Sequence, residues 1–317
     1  MSIGLFLWLS FSIYHQIRNQ QNLQASVKGL KVLLDSGHLA GLLAVILLMP
    51  INWGLEARKW QILVDPLEKI SLSRSFFAIL SGLSLAVITP NRIGEYGGRI
   101  LYLKRMNKLR AISVTVIGSF SQLIITILCG IGGLVYYILH LGAIQGNILF
   151  STALWQKFSL GLLAILTAGL VILYFRLDLI VNLFSKVKLL SRLKTFILIL
   201  GRFSPRELGK LLLLSFGRYL LFSVQYLFLL QLSGVGLIWW QGLLMISLIF
   251  LIMAIIPTIA LAEVMIRGEV SLFFLGMLSG NKLGIITATV GIWFINLILP
   301  AIIGSLLLLR IQVFNDK

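Results

Sequence analysis

Long apolar runs separated by short polar segments recur along this chain. A membrane-spanning helix needs about 20 apolar residues at about 1.5 Å per residue. The pattern therefore predicts a helical protein that crosses the membrane several times, with residues 39–54 extended toward residues 60–64 to reach that length. The apolar segments are residues 1–14, 39–54, 76–88, 111–139, 158–175, 211–232, 237–256, 270–278 and 283–309.

Two of these segments, residues 76–88 and 270–278, are too short to span a bilayer. Each lies beside a motif that combines proline, glutamate and arginine. Short apolar segments interrupted in this way are typical of the broken helices around the substrate site of membrane transporters. We therefore predict an all-α polytopic membrane protein with about seven or eight transmembrane helices, and with two re-entrant half-helix hairpins near residues 76–99 and 257–280.

Composition supports this class. Of the 317 residues, 59% are hydrophobic and only 12% are charged, and the mean hydropathy is +1.01. A soluble fold of this length could not bury so much apolar surface. We expect residues 1–317 to form a single integral membrane domain, in which the two hairpin motifs are a weak sign of internal duplication.

The net charge of +17 is concentrated in residues 92–110 and 176–210. Both segments adjoin apolar runs, so the positive-inside rule explains them better than nucleic-acid binding. The resulting topology places the chain in the cytoplasmic (inner) membrane with its N-terminus in the cytoplasm. Basic and apolar residues alternate at helical spacing in residues 176–210, which fits either an amphipathic helix at the membrane surface or a plain cytoplasmic connector.

The first polar motif follows residues 76–88 and reads TPNRIGEYGGR. Pro90 cannot continue a helix, and Gly94 permits a close backbone approach. Arg92 and Arg99 supply planar donors suited to a phosphate, while Glu95 can neutralise one of them when the site is empty. The alternative is that Glu95 and Arg99 form a purely structural pair.

A second motif repeats part of the first. Glu263 stands four residues before Arg267, as Glu95 stands four residues before Arg99. This spacing places both members of each pair on one helix face. Pro257 precedes the second pair as a proline precedes the first. We therefore consider Glu263 and Arg267 candidates for the same substrate site.

Three further polar positions lie within apolar runs. Asn52 and Glu56 share a helix face, and Glu56 either pairs with a hairpin arginine or belongs to an ordinary interfacial charge cluster. Arg218 either extends to the cytoplasmic surface or faces the same cavity as the hairpins. We expect the aromatic belt to contain the tryptophans that lie near predicted span ends, which are Trp53, Trp60, Trp155, Trp239 and Trp240.

No nucleotide-binding, zinc-protease or serine-hydrolase motif is present, and the three histidines and the single cysteine are far apart. We therefore predict no cofactor and no metal. The candidate functions are lipid translocation or lipid binding, an accessory role in envelope lipid or glycan synthesis with protein partners of that pathway, and, less favoured, a membrane-embedded lipid-phosphate enzyme.

The Pro-x-Arg-Ile-Gly-Glu sequence at residues 90–95, with Asn52 and the Arg58-Lys59-Trp60 tripeptide upstream, resembles the lysylphosphatidylglycerol synthase transmembrane-region family. These are flippase-like integral membrane proteins, and the resemblance extends from about residue 39 to about residue 309. It implies that anionic phospholipids or lipid-linked sugars are the ligands. It also marks the characteristic positions, Pro90, Arg92, Gly94, Glu95 and Arg99, with Glu263 and Arg267 as weaker counterparts.

The sequence departs from the family pattern in two respects. The soluble aminoacyl-transferase domain of bifunctional members is missing before the last residue, Lys317, so lysyl transfer by this chain is not expected. The second hairpin also lacks the glycine pair that family members usually carry after Pro257.

Overall fold

The computed structural model describes residues 14–15, 18, 36–89, 92–104, 108–141, 153–176, 203–256 and 260–315. Within these ranges every regular element is a helix, which confirms the predicted all-α class. The helices are α1 (Ser36–Val64), α2 (Leu72–Ile88), α3 (Gly94–Ile100), α4 (Lys108–Tyr136), α5 (Ala153–Phe175), α6 (Pro205–Leu232), α7 (Trp239–Ile255), α8 (Ala260–Leu275), α9 (Lys282–Trp293) and α10 (Leu299–Asn315).

Four helical stretches in the described part of the chain are long and apolar enough to cross a membrane. α1 is continuous to Val64, which confirms that residues 39–54 extend beyond the apolar run. Three shorter apolar helices accompany these stretches, at Leu72–Val87, Gly161–Phe175 and Trp239–Ile255. The protein is therefore built as a multi-pass membrane protein. The four long stretches are Leu39–Val64, Arg110–Leu141, Pro205–Leu232 and Lys282–Leu309.

Helices α2 and α3 form a tight hairpin. α2 ends at Ile88, and the backbone amide of Gly94, the first residue of α3, donates to Thr89 Oγ1 at 2.7 Å. α3 then runs back along α2, and a Cβ atom at Gly98 would lie 2.5 Å from the Cα of Gly82. Only glycine fits at such a contact, so Gly98 allows the close packing of this hairpin.

Helices α7 and α8 form the second hairpin motif, and here one prediction was wrong. Residues 270–278 are not a separate apolar segment, because residues 270–275 are the last part of α8. The same helix carries Glu263 and Arg267 in its first half. Pro257 lies outside the described residues.

Helix α6 lies at the centre of the fold and packs against α1, α4, α7 and α9. The Tyr226 hydroxyl contacts Ser271 Oγ at 2.9 Å and Thr289 Oγ1 at 2.6 Å, which joins α6 to α8 and α9. Trp53 and Trp60 of α1 are buried in this core, so their assignment to the aromatic belt was wrong. The face of α1 that meets α6, rather than the position along the span, decides where these rings lie.

The start of α6 includes the last residues of the predicted basic segment 176–210. Ser204 and Glu207 form a reciprocal capping box at the N-terminus of α6. Residues 205–210 are therefore the first turns of a long apolar helix. Residues 177–202, which carry most of the predicted basic segment, lie outside the described residues.

Candidate functional site

Glu56 of α1 is the centre of a buried ion-pair cluster, here called the Glu56 cluster. Its carboxylate lies 2.7 Å from Lys59 Nζ, 3.1 Å from an Arg99 guanidinium nitrogen and 3.2 Å from one of Arg218. Glu56 is 4% exposed and Lys59 is 1% exposed. One carboxylate therefore ties together α1, the α2–α3 hairpin and α6.

Further polar contacts complete the Glu56 cluster. Arg99 also contacts Glu95, one helical turn before it in α3. Lys59 Nζ lies 3.4 Å from Ser215 Oγ of α6. Three cations thus share two carboxylates, which leaves one positive charge in excess. Burying charges is costly unless they are paired, and these pairs make the burial possible.

A second cluster, here called the Glu263 cluster, joins the two hairpins. Arg92 Nη2 donates to both carboxylate oxygens of Glu263 at 2.8 and 2.9 Å. Arg267 Nη2 donates to the same carboxylate at 2.6 Å. Arg92 has a φ of 56°, a left-handed conformation that is uncommon for a residue other than glycine. In this backbone conformation the Arg92 side chain reaches Glu263 of α8.

The two clusters border a cavity of about 580 Å³ between α1, α4, α6, α7, α8 and the α9–α10 region. This volume lies within the range of about 300–1,000 Å³ typical of small-molecule sites. The charged lining residues are Arg92, Arg218, Arg267 and Glu263. The neutral lining residues are Asn52, Trp53, Gln122, Thr126, Tyr219, Phe222, Phe250, Met253, Ala254, Ile255, Ile256, Trp293, Asn296 and Leu297.

The cavity wall is positively charged. Of the described residues that line it, three are arginines and Glu263 alone is acidic, so two positive charges are in excess. The Arg218 guanidinium lies 4.5 Å from the centre of the Trp53 ring, a cation–π contact. One of its terminal nitrogens pairs with Glu56, and its Nε has no hydrogen-bond partner among the described residues. This wall favours an anion.

Part of the cavity rim is apolar. It is formed by the last turn of α7, where Ala254 is exposed and Ile255 is 73% exposed on the protein surface. In a multi-pass membrane protein, an exposed apolar surface of this kind suits contact with lipid chains. A cavity with a charged wall and an apolar, exposed rim matches the two parts of an amphiphile.

The predicted site residues divide between the cavity and its support. Arg92, Glu263, Arg267 and Asn52 line the cavity. Glu56 is not among the described lining residues, but it forms an ion pair with Arg218, which lines the cavity.

The remaining members of the first motif have other positions. Arg99 and Glu95 belong to the Glu56 cluster. A Cβ atom at Gly94 would lie 2.3 Å from the carbonyl oxygen of Leu85, so Gly94 serves hairpin packing. Pro90 lies outside the described residues. The structural pair that the sequence left as an alternative, Glu95 with Arg99, is present, and Glu56 does contact a hairpin arginine.

The structure also resolves the two interpretations of Arg218. It faces the cavity and pairs with Glu56 instead of extending to the surface. The sequence indicated this role because a charged residue within an apolar run, here 211–232, usually faces the protein interior or a cavity.

Asn296 is a cavity residue that sequence analysis missed. It lies in a π-helical turn, Phe294–Ile298, between α9 and α10. Its side chain accepts from Asn52 at 3.2 Å and donates to Gln225 at 2.9 Å. A buried amide in an otherwise apolar run was the available signal, because polar groups at membrane depth usually have a function. Such π-helical turns also recur at functional sites.

The fold and the cavity define an all-helical, multi-pass membrane protein with a buried, positively charged cavity beside an apolar rim. Within the described ranges, no group of three or more histidine, cysteine, aspartate or glutamate side chains is placed to hold a metal ion. Residues 3–304 match the family described as the lysylphosphatidylglycerol synthase TM region, so the chain belongs to this family. The predicted resemblance is thereby confirmed, and membership indicates a membrane protein involved in lipid handling. Neither the curated proteins nor the solved structures contain a match to the chain.

Proposed function

We propose that this protein binds the anionic headgroup of a lipid in the cavity and moves it across the cytoplasmic membrane. The observation that carries the proposal is the excess of arginine over glutamate in the cavity wall. Family membership supports lipid as the ligand. The ligand classes are those inferred from the sequence, an anionic phospholipid or a lipid-linked sugar.

The Glu263 cluster supplies the binding chemistry. A guanidinium group binds a phosphate through two parallel hydrogen bonds. Arg92 and Arg267 now direct their Nη2 atoms at Glu263, and an incoming phosphate competes with this carboxylate for them. The acyl chains leave the cavity over the rim at Ile255 and remain in the lipid.

The Glu56 cluster supplies the support. Glu56, Glu95 and Arg99 hold the α2–α3 hairpin against α1 and α6, and this keeps the turn that bears Arg92 at the cavity. In this proposal both hairpins enter the membrane and return on the same side. The basic segments 92–110 and 176–210 and the N-terminus face the cytoplasm, in agreement with the positive-inside rule.

The test is lipid scrambling by the purified full chain in liposomes that contain fluorescent anionic lipid. Arg92→Gln is compared with Arg74→Gln, a matched control. Arg74 is also a partly exposed arginine beside a glutamate, at 3.9 Å, but it does not line the cavity. We expect Arg92→Gln to slow scrambling about tenfold or more, because hydrogen bonds to charged groups contribute about 1.5–3 kcal/mol. Arg74→Gln should match the wild type.

Equal rates in the two folded variants would contradict the site. If the folded wild-type protein moves no lipid, the accessory role in envelope lipid or glycan synthesis, with a protein partner, becomes the better hypothesis. Chemical conversion of the labelled lipid by the purified protein would instead indicate an enzyme.

A further inference from the structure

The neutral part of the cavity wall contains hydrogen-bonding atoms that the fold does not use. Asn52 is 2% exposed and Trp53 is 3% exposed. Five neutral cavity-lining side chains have a buried atom without a hydrogen-bond partner among the described residues: Asn52 Oδ1, Gln122 Oε1, Trp53 Nε1, Trp293 Nε1 and Tyr219 Oη. Buried polar groups are nearly always paired, so two acceptors, two donors and a hydroxyl without a partner in one wall indicate a missing ligand.

These atoms do not suit a phosphate alone. Phosphate oxygens accept hydrogen bonds, so they are repelled by the side-chain carbonyls of Asn52 and Gln122. Turning the amides over does not solve this, because Asn52 Nδ2 already donates to Asn296 Oδ1 at 3.2 Å and Gln122 Nε2 to the Ser215 carbonyl at 3.4 Å. A hydroxyl group, by contrast, both donates and accepts.

A cationic headgroup fits the wall no better. Glu263, the acidic residue of the described lining, is already shared by Arg92 and Arg267. An ammonium group would therefore face three arginines without a free carboxylate. The cavity volume of about 580 Å³ also exceeds what one phosphate group occupies and leaves room for a ring beside it.

We propose that the headgroup is a sugar phosphate, with the phosphate at Arg92 and Arg267 and the sugar ring against Asn52, Gln122 and Trp293. Its hydroxyls donate to the two amide carbonyls and accept from the indole N–H groups. The apolar face of the ring packs on the aromatic side chains of the wall. This inference rests on the proposed function and selects the lipid-linked sugar from the two ligand classes.

The test compares two lipids with the same polyprenyl chain and the same single negative charge. One is a polyprenyl glucosyl phosphate and the other is a polyprenyl methyl phosphate. Binding to the purified full chain in detergent is measured by isothermal titration calorimetry. We expect the glucosyl lipid to bind about tenfold more tightly or better, because two or more additional hydrogen bonds form.

Two tryptophan variants test the position of the sugar. Trp293→Phe removes an unpaired N–H from the cavity wall and keeps an aromatic ring. Trp60→Phe is the matched control, because Trp60 Nε1 is also buried and without a partner among the described residues, yet Trp60 does not line the cavity. Trp293→Phe should reduce the preference for the glucosyl lipid over the methyl phosphate about two- to tenfold. Trp60→Phe should change neither affinity.

Equal affinity of the wild type for the two lipids overturns this inference and leaves the proposed function intact. Failure of both lipids to bind also overturns this inference, and the scrambling assay with anionic phospholipid then decides the proposed function separately. An equal loss of preference in Trp60→Phe and Trp293→Phe assigns the effect to packing and also overturns the inference. The wild-type comparison needs no variant, so it decides the question even if a variant does not fold.

Discussion

The Glu56 cluster and the Glu263 cluster use the same chemistry for different purposes. In the first, Lys59, Arg99 and Arg218 surround a buried glutamate, and α1, α3 and α6 are joined. In the second, a buried glutamate binds two arginines, and one of them, Arg92, has a side chain that is 39% exposed. In the first cluster only Arg218 lines the cavity, and Glu56, Lys59 and Arg99 are buried in protein, whereas Arg92, Arg267 and Glu263 of the second cluster all line it. An ion pair that is enclosed by protein holds the fold together. In an ion pair that a ligand can reach, the arginine can exchange its glutamate for the ligand.

The two glutamate–arginine pairs of the hairpins show the same difference. Glu95–Arg99 and Glu263–Arg267 both contact across one helical turn. The first pair lies in α3, which packs closely against α2 at Gly94 and Gly98. The second lies in α8 and lines the cavity. A shared motif therefore does not give a shared role, because the neighbouring elements decide which pair a ligand can reach.

The largest expected effect is the loss of the Glu56 carboxylate. Glu56→Gln leaves three cations without their common partner and should lower the free energy of unfolding by about 3–5 kcal/mol, the range for breaking a buried ion pair. Glu263→Gln should lower it less, because Arg92 is 39% exposed and only Arg267 is left buried without its carboxylate. Denaturant or thermal unfolding in detergent measures both. A larger loss of unfolding free energy in Glu263→Gln than in Glu56→Gln would contradict the structural role of the Glu56 cluster.

The next effect tests the packing of the α2–α3 hairpin. At Gly98 a Cβ atom would lie 2.5 Å from the carbonyl oxygen of Ser81, whereas at Gly97 the nearest atom, a Leu85 methyl, is 4.0 Å away. Gly98→Ala should therefore destabilise the protein by about 1–3 kcal/mol through overpacking. Gly97→Ala, on the same short helix, is the control and should be neutral or slightly stabilising. Thermal unfolding that shows equal stability for the two variants would argue against the tight hairpin.

The smallest effect concerns ligand binding. Glu263→Gln removes the carboxylate that competes with a phosphate for Arg92 and Arg267. We expect the affinity for an anionic lipid to rise about three- to tenfold, the change that follows from losing a partly exposed ion pair. Equilibrium titration with the same lipid measures it. Glu68→Gln serves as a control, because it removes a similarly buried carboxylate that does not line the cavity. A lower affinity in folded Glu263→Gln would mean that Glu263 aids binding.

Local features of this fold were predictable from the sequence, and long-range ones were not. The apolar runs predicted the helices, and four-residue spacing predicted the two glutamate–arginine pairs. Residues 270–278 were misassigned because a count of apolar residues treats Arg267 and Glu269 as a break. In the structure Arg267 pairs with Glu263, and α8 continues through both positions to Leu275.

The candidate site was predictable only in part, because its residues were recognisable in the sequence but their long-range contacts were not. Arg92 and Glu263 were each proposed as site residues, but their contact spans 171 positions of the chain. It depends on a left-handed turn at Arg92 that no side-chain pattern encodes. Asn296 was missed because a single amide hardly changes the hydropathy of its run, and its partners lie on α1 and α6.

The central claim is that the cavity handles anionic lipid headgroups, and the wild-type protein tests it most directly. Scrambling rates are measured in liposomes for two fluorescent lipids with identical acyl chains, one anionic and one zwitterionic. Because the described cavity wall carries three arginines and one glutamate, we predict that the anionic lipid moves about tenfold faster. Equal rates, or faster movement of the zwitterionic lipid, would contradict the account.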